Sequence, residues 1–179
     1  IFAINHAYRN IGQNFHKLNQ HSKALAYLEK VVKIHQEHSG DKGFQDVNAW
    51  LQIIRVHGKT GNYPKLQNTY LLNKETIKRR FGDNSPYIHK NIVAMANALM
   101  DMQRYQEAAN LIKPSLHDSI ESTVKNYLHF LYGKAQYKSG NITVADSVIN
   151  NLMALQNLEP EVQEAISAHH EELEKAETQ

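Results

Sequence analysis

Three residues near the middle of the chain have the types and order of a phosphate-binding loop. Gly58-Lys59-Thr60 matches the end of such a loop, in which backbone N–H groups and a lysine hold the phosphates of a nucleotide. The earlier glycine of the motif is replaced by Ile53, and the stretch lies in a helical pattern rather than after a strand. We therefore expect no nucleotide binding.

The eleven histidines suggest metal binding as a second kind of chemistry. His35 and His38 could share a helix face, but no third ligand for a zinc site can be identified. His169 and His170 are adjacent and point in different directions on a helix. The chain has no cysteine, which excludes thiolate metal sites, disulfides and a cysteine nucleophile. We expect surface histidines, no metal and no cofactor.

Sequence patterns of common hydrolases are also missing. Neither Gly-x-Ser-x-Gly nor His-Glu-x-x-His occurs, and no pair of carboxylates stands out, so we predict that the protein is not an enzyme. Asn141-Ile142-Thr143 has the form of a glycosylation acceptor. Because no secretory signal is visible, we interpret it as a turn between two helices.

Composition favours a mainly helical chain. Gly and Pro occupy 12 of the 179 positions, too few for a collagen-like chain, a low-complexity chain or a β-sandwich with many tight turns. No apolar run approaches the roughly 20 residues that span a bilayer, so we expect no membrane insertion and a cytoplasmic location. Because the chain begins with Ile1, a regulatory segment of a larger signalling protein is an alternative.

The net charge of +2 conceals an asymmetry between two parts of the chain. Residues 1–158 contain 19 Lys or Arg and 11 Asp or Glu, whereas residues 159–179 contain one Lys and seven Glu. A basic body attracts acidic partners, and nucleic acid is one of them. The last segment has the opposite charge.

Four stretches of the sequence align with one another. Each predicts two helices, because apolar residues recur at helical spacing on both sides of a polar break. No single pair of helices could bury its apolar stripe, so the repeats must stack. Their shared positions, 42, 42 and 37 residues apart, are Ala24, Leu66, Ala108 and Ala145.

Residues at the predicted helix boundaries agree with the repeats. Ser85-Pro86 places a capping residue before a proline suited to the first helical turn, and Asp118 with Glu121 has the spacing of a capping box. Pro114 should kink or end its helix, which explains the shorter last spacing. The glycines at predicted breaks are Gly40, Gly43, Gly61, Gly82 and Gly140.

These features resemble tetratricopeptide repeats, in which a large residue, a Leu-Gly pair, an aromatic residue and a small residue recur at fixed spacing. The matching residues are Tyr8, Ile11-Gly12, Phe15 and Ala24, and later Tyr132-Gly133 and Ala145. The 42-residue spacing is similar to the longer repeats of kinesin light chains. The resemblance implies an all-α, right-handed superhelix, an α-α solenoid. We expect an array over residues 1–158, with repeats at about 3–40, 44–84, 86–118 and 119–156, followed by an acidic capping helix and tail at 159–179.

The resemblance further implies a non-enzymatic scaffold module whose first helices line a concave groove for a partner peptide. One wall is rich in hydrogen-bond donors and the other is apolar, so we expect an extended, acidic peptide with an apolar anchor. The predicted groove residues are Arg9, Gln13, Lys17, Leu51, Arg55, Lys59, Val93, Asn97, Tyr127, Phe130, Lys134 and Lys138. Single-stranded RNA is the alternative partner, although groove aromatics are predicted in the fourth repeat alone.

An apolar stripe also runs through the acidic end segment. It indicates an amphipathic helix over residues 159–176 that covers the exposed edge of the fourth repeat. Alternatively, its glutamates fold back onto the basic groove and compete with the partner. The stripe consists of Val162, Ala165, Ile166, His169 and Leu173.

Overall fold

A computed structural model describes residues 2–38, 43–117, 122–155 and 158–177. All regular secondary structure of these residues is helical, which confirms the predicted all-α class. The elements are α1 (Phe2–Lys17), α2 (His21–His38), α3 (Gln45–Lys59), α4 (Tyr63–Phe81), α5 (Pro86–Asp101), α6 (Tyr105–Ile112), a 3₁₀ segment (Lys113–His117), α7 (Ser122–Lys138), α8 (Ile142–Met153) and α9 (Pro160–Glu177). Gly40, Asp118 and Glu121 lie outside the described residues.

The helix boundaries recur at the predicted spacing. The helices α1, α3 and α5 end at Lys17, Lys59 and Asp101, and each of these ends is one sequence repeat after the one before it. The helices α2, α4 and α6 begin at His21, Tyr63 and Tyr105, which follow one another at the same interval. The helix α6 ends at Ile112, directly before the segment that contains Pro114, because proline cannot continue the helical hydrogen bonding. The predicted effect of Pro114 is therefore confirmed.

The turn inside each helix pair is built on one residue in the left-handed region. Its φ is 57° at Asn19, 68° at Gly61, 58° at Gln103 and 85° at Gly140. A glycine adopts this conformation without cost, whereas a side chain with a Cβ is strained there. The first and third turns therefore carry backbone strain that the other two avoid.

We expect Gln103→Gly to raise the free energy of unfolding by about 0.5–1 kcal/mol, because the relief of left-handed strain exceeds the extra entropy of an unfolded glycine. Urea unfolding measures the change. The matched control is Ser147→Gly on the exposed side of α8, which should lower stability because glycine is a poor helix former. A loss of stability in Gln103→Gly would contradict the strain.

The chain divides into two compact units, residues 1–102 and 103–179. The core of the first unit is centred on α2 and α3 and contains Leu28, Val31, Ile53 and Val56. The second unit buries Leu128 and Leu131 of α7, Ala145 and Ile149 of α8, and Val162 of α9. Each unit therefore has its own apolar interior.

Two glycines that match the tetratricopeptide-repeat pattern lie where the two helices of a pair approach each other closely. A Cβ at Gly12 of α1 would lie 2.8 Å from the Leu28 Cγ of α2, and a Cβ at Gly133 of α7 would lie 2.9 Å from the Ile149 Cδ1 of α8. Gly58 of α3 is even closer to α5, since its Cβ would lie 2.5 Å from the Ala98 Cβ. Gly58 therefore has a packing role, which the phosphate-loop comparison did not suggest.

A buried ionic cluster joins the ends of α2, α3 and α4 in the first unit. The Arg80 Nη1 donates to the Asp46 Oδ2 at 2.6 Å, and the Arg80 Nη2 donates to the Gly43 carbonyl. The His35 Nε2 lies 3.3 Å from the Asp46 Oδ1 and 3.3 Å from the Arg80 Nη2. All three side chains are almost completely buried. The cluster ties together segments that are distant in sequence.

The prediction that His35 is a surface histidine is wrong. Burial lowers the pKa of its imidazole; Asp46 raises that pKa and Arg80 lowers it. A pKa below the ordinary value keeps the ring neutral at neutral pH. His35 is therefore an interior polar residue held by ionic neighbours.

Candidate functional site

The first helices of the first unit carry eight of the predicted groove residues. Residues four apart on one helix share a side, and the ends of α1, α3 and α5 recur at the repeat spacing. The predicted residues therefore lie at equivalent turns of these three helices. Helix α3 packs against both α1 and α5. The residues are Arg9, Gln13 and Lys17 of α1, Leu51, Arg55 and Lys59 of α3, and Val93 and Asn97 of α5.

Seven of these eight side chains reach solvent, and we call those seven the basic face. The Lys17, Arg55 and Lys59 side chains are exposed. The half-buried members are Arg9, Gln13, Val93 and Asn97. The basic face therefore combines charged and donor groups with one apolar side chain.

Leu51 does not belong to this surface. It retains only 7% of its exposure and lies with the core residues of the first unit. Its predicted role as a groove contact is corrected for that reason. The repeat position alone cannot reveal that neighbouring helices cover the side chain.

One ion pair crosses the basic face between α3 and α5. The Lys59 Nζ lies 2.6 Å from the Asp101 Oδ1, and both side chains are partly exposed. Such a pair contributes at most about 1 kcal/mol to stability, since water screens it. It neutralises the carboxylate that the sequence places at the end of α5, and the remaining charges of the face are positive.

The neighbourhood of His16 at the end of α1 reflects this positive field. Burial lowers the pKa of the His16 imidazole, and the nearby His21 and the α3 cations Lys59 and Arg55 lower it further. Asp101 acts in the opposite direction. The ends of α1, α3 and α5 therefore lie within electrostatic range of one another, and cations dominate there.

The second unit carries the other four predicted residues on α7. Lys138 is exposed, and Tyr127 and Lys134 are half-buried. Phe130 is only 4% exposed, and its ring centroid lies 6.1 Å from that of Tyr127 and 6.3 Å from that of His169. The predicted role of Phe130 as a groove contact is therefore corrected, because α9 covers it.

Helix α9 packs along α7 as the predicted capping helix. Its apolar residues Val162 and Ile166 are buried, and the His169 ring meets the edge of Tyr137 with a centroid distance of 5.4 Å. The Asn126 Nδ2 of α7 donates to the Glu159 Oε2 at 3.0 Å. Of the predicted stripe, Leu173 lies outside the described side chains.

The described part of the chain contains neither a metal-binding cluster nor a membrane-spanning helix. Its residues include no cluster of three or more His, Cys, Asp or Glu that could hold a metal ion. Among its helices, none combines the length and the apolar character required to cross a membrane.

Stacked helix pairs with recurring turns define a helical-repeat protein. The family model of the tetratricopeptide repeat matches residues 6–45, which include most of α1 and all of α2. The match identifies a tetratricopeptide repeat in this part of the chain, and the described residues have an all-α helical-repeat fold. Such repeats generally serve as scaffolds for protein–protein interaction, and the fold is typically non-enzymatic.

One similar solved structure is the crystal structure of BtubC (BKLC) from P. vanneervenii. It shares 11% sequence identity with the chain, with a TM-score of 0.68, and the match covers 91% of this chain and 64% of BtubC. The chain thus spans less than two thirds of that protein, and the likeness concerns the fold. No curated protein matches the sequence.

Proposed function

We propose that this chain is a protein-interaction module whose basic face binds an extended, acidic segment of a partner protein. The observation that carries the proposal is the alignment of donor and cationic side chains on three successive first helices. The one carboxylate at the end of this surface, Asp101, is already paired with Lys59. The other charged side chains of the basic face, Arg9, Lys17 and Arg55, are all cations, which attract an incoming carboxylate.

The chemistry of the basic face suits carboxylates and backbone carbonyls. A charge-assisted hydrogen bond contributes roughly 1.5–3 kcal/mol when shielded from water, and less at an exposed side chain. Val93 offers a half-buried apolar contact beside the donor Asn97. Because Leu51 is buried, the apolar anchor of the peptide gains less than the sequence suggests. We expect affinity in the micromolar range.

The helix α7 offers a separate set of contacts in the second unit. Lys134 and Lys138 supply positive charge, and Tyr127 supplies a half-buried ring with a hydroxyl group. With Phe130 covered by α9, this set resembles the basic face in charge and has a smaller apolar contribution. We propose it as a second, weaker contact for the same kind of ligand.

We expect Arg55→Glu in the full chain to weaken binding of an acidic peptide by about tenfold or more, because a charge-assisted contact is replaced by repulsion. The probe is a fluorescent peptide of alternating Glu and Leu, and fluorescence anisotropy measures its affinity. Lys134→Glu should have a smaller effect. The matched control is Lys65→Glu at the exposed start of α4. It makes the same change of charge at a position outside the basic face.

Two results would contradict the proposal. One is unchanged affinity in Arg55→Glu, and the other is an equal loss in Lys65→Glu, which would indicate attraction to net charge alone. A salt titration with single-stranded oligouridine tests the RNA alternative. Tighter binding to oligouridine with a steep salt dependence would favour RNA as the partner.

A further inference from the structure

Three aromatic rings of the first unit form a cluster at its surface, where α3 and α5 begin and α4 ends. The ring centroids of Phe44 and Tyr87 lie 5.9 Å apart, and those of Phe81 and Tyr87 lie 5.5 Å apart. Phe44 is 40% exposed and Phe81 is 37% exposed, while Tyr87 is half-buried. We call these three residues the aromatic patch. A cluster of exposed apolar side chains marks an interaction site more often than a single one does.

The buried ionic cluster holds two of these rings in place. Arg80 directly precedes Phe81, and its guanidinium carbon lies 5.1 Å from the centroid of that ring. The Arg80 Nη2 donates to the carbonyl of Gly43, the residue before Phe44. Because Asp46 fixes Arg80 in the core, the backbone beside both exposed rings is anchored. A ligand that contacts these rings therefore has few protein groups to order, which favours binding.

The aromatic patch continues the basic face toward the start of α3. Phe44 and Arg55 are eleven residues apart, which is close to three full helical turns, so both lie on one side of α3. The Asn48 N–H donates to the Phe44 carbonyl at 3.1 Å, so the helical hydrogen bonding already includes Phe44. Helix α3 therefore presents an aromatic ring and a guanidinium group on the same side.

Helix α5 makes the same connection through Lys90. Its side chain is exposed, and its Nζ lies 5.4 Å from the ring centroid of Tyr87. Lys90 also lies about one turn before Val93, the apolar member of the basic face. The exposed carboxylate of Asp83 is already paired with Lys78, which reduces its repulsion of an acidic ligand. The rings thus favour an apolar side chain, and the cation beside them favours one that is flanked by carboxylates.

We propose that the aromatic patch binds the apolar anchor of the acidic segment whose carboxylates meet the basic face. This inference rests on the proposed function and deepens it, because it assigns the anchor a site in place of Leu51, which is buried. The rise from Phe44 to Arg55 is about 16 Å along α3. An extended peptide spans that length with about five residues. The anchor therefore lies about five residues from the carboxylate that meets Arg55.

Three synthetic fluorescent peptides test the site and the spacing. The first has Phe, a spacer of four Ser or Gly residues, and then three Glu residues that alternate with Ser. The second has Ser in place of Phe, and the third has a spacer of one residue. In fluorescence anisotropy with the full chain, the first peptide should bind about tenfold more tightly than either of the others. Burial of the ring adds to the ionic contacts only when both can form at once.

Variants of the full chain locate the anchor site. In Phe44→Ser and in Phe81→Ser, the first peptide should lose most of its tenfold advantage over the second. The ratio of the two affinities is the readout, because a fraction of unfolded protein reduces the binding of both peptides alike. The matched control is Leu72→Ser, which removes an exposed apolar residue from another part of α4 and should leave the ratio unchanged.

Four results would overturn the proposal. The first two are equal affinity of the unchanged chain for the first and second peptides, and a ratio that survives both ring variants. The others are a third peptide that binds as tightly as the first, and a concentration-dependent dimer that Phe44→Ser abolishes in analytical ultracentrifugation, since a second copy would then cover the patch.

The variant Arg55→Glu separates this proposal from the proposed function. It should weaken the first and second peptides by the same factor, so that their ratio stays unchanged. If the basic face does not bind the carboxylates, Arg55→Glu changes neither affinity. If only the anchor site is wrong, Arg55→Glu weakens both peptides and the ring variants leave the ratio as it was.

Discussion

The variant Arg80→Met should lose about 3–5 kcal/mol of the free energy of unfolding, because it removes the partner of a buried carboxylate. The Arg80 Nη1 lies 2.6 Å from the Asp46 Oδ2, and both side chains are almost completely buried. Methionine fills part of the volume of the arginine but leaves the Asp46 charge without its cation and the Gly43 carbonyl without the Arg80 donor. The Val47 N–H still donates to the Asp46 Oδ1 at 2.9 Å. Urea unfolding of the full chain at neutral pH measures the loss.

Two further variants separate the charge from the volume. Asp46→Asn in the Arg80→Met chain should recover part of the stability, because the unpaired buried charge is then removed. Lys78→Met, which breaks the exposed pair of Lys78 with Asp83, should lose at most about 1 kcal/mol. A loss in Arg80→Met no larger than that in Lys78→Met would show that the buried cluster does not stabilise the fold.

Replacing Gly58 by alanine should lower the free energy of unfolding by about 1–2 kcal/mol, because overpacking between two helices costs up to about 3 kcal/mol and the better helix propensity of alanine offsets part of that cost. The added methyl group would lie 2.5 Å from the Ala98 Cβ and 2.6 Å from the Ala98 Cα, so α3 and α5 must separate. Alanine also favours the helix by about 1 kcal/mol over glycine. Because the clash involves a backbone atom, the net change in the free energy of unfolding should be a loss. Urea unfolding measures this change.

The control for this variant is Gly12→Ala. Its closest neighbour is the Leu28 side chain, which can move, so the loss should be smaller. Ala98→Gly in the Gly58→Ala chain should restore part of the stability, because it removes one of the two clashing atoms. Equal stability of Gly58→Ala and the unchanged chain would contradict the close approach of α3 and α5.

The fold could be predicted from the sequence because its determinants are local and recur. The repeat spacing appears directly in the helix ends at Lys17, Lys59 and Asp101. The Ser85 side chain accepts a hydrogen bond from the Tyr87 N–H at 3.3 Å, as expected of a capping residue. Proline and glycine change the backbone conformation at their own positions, so their effects can be predicted without knowing which distant residues are in contact.

The remaining features depend on residues that meet only in the folded chain. Nothing in the spacing of His35, Asp46 and Arg80 indicates that they form a cluster. Repeat position predicts that Leu51 and Phe130 line the groove, but it does not show what covers a side chain. Gly58 could have been found, because a glycine inside a helical apolar pattern often marks close packing.

The left-handed turns at Asn19, Gly61 and Gln103 are evenly spaced along the chain, whereas the turn at Gly140 follows after a shorter interval. Loss or duplication of one whole repeat between the first three turns would join residues at equivalent positions of the pattern, so every helix would keep its own apolar stripe. The shorter step, which contains Pro114, does not begin and end at equivalent positions. The first three turns therefore delimit interchangeable lengths of sequence, and the step that contains Pro114 is not interchangeable with them.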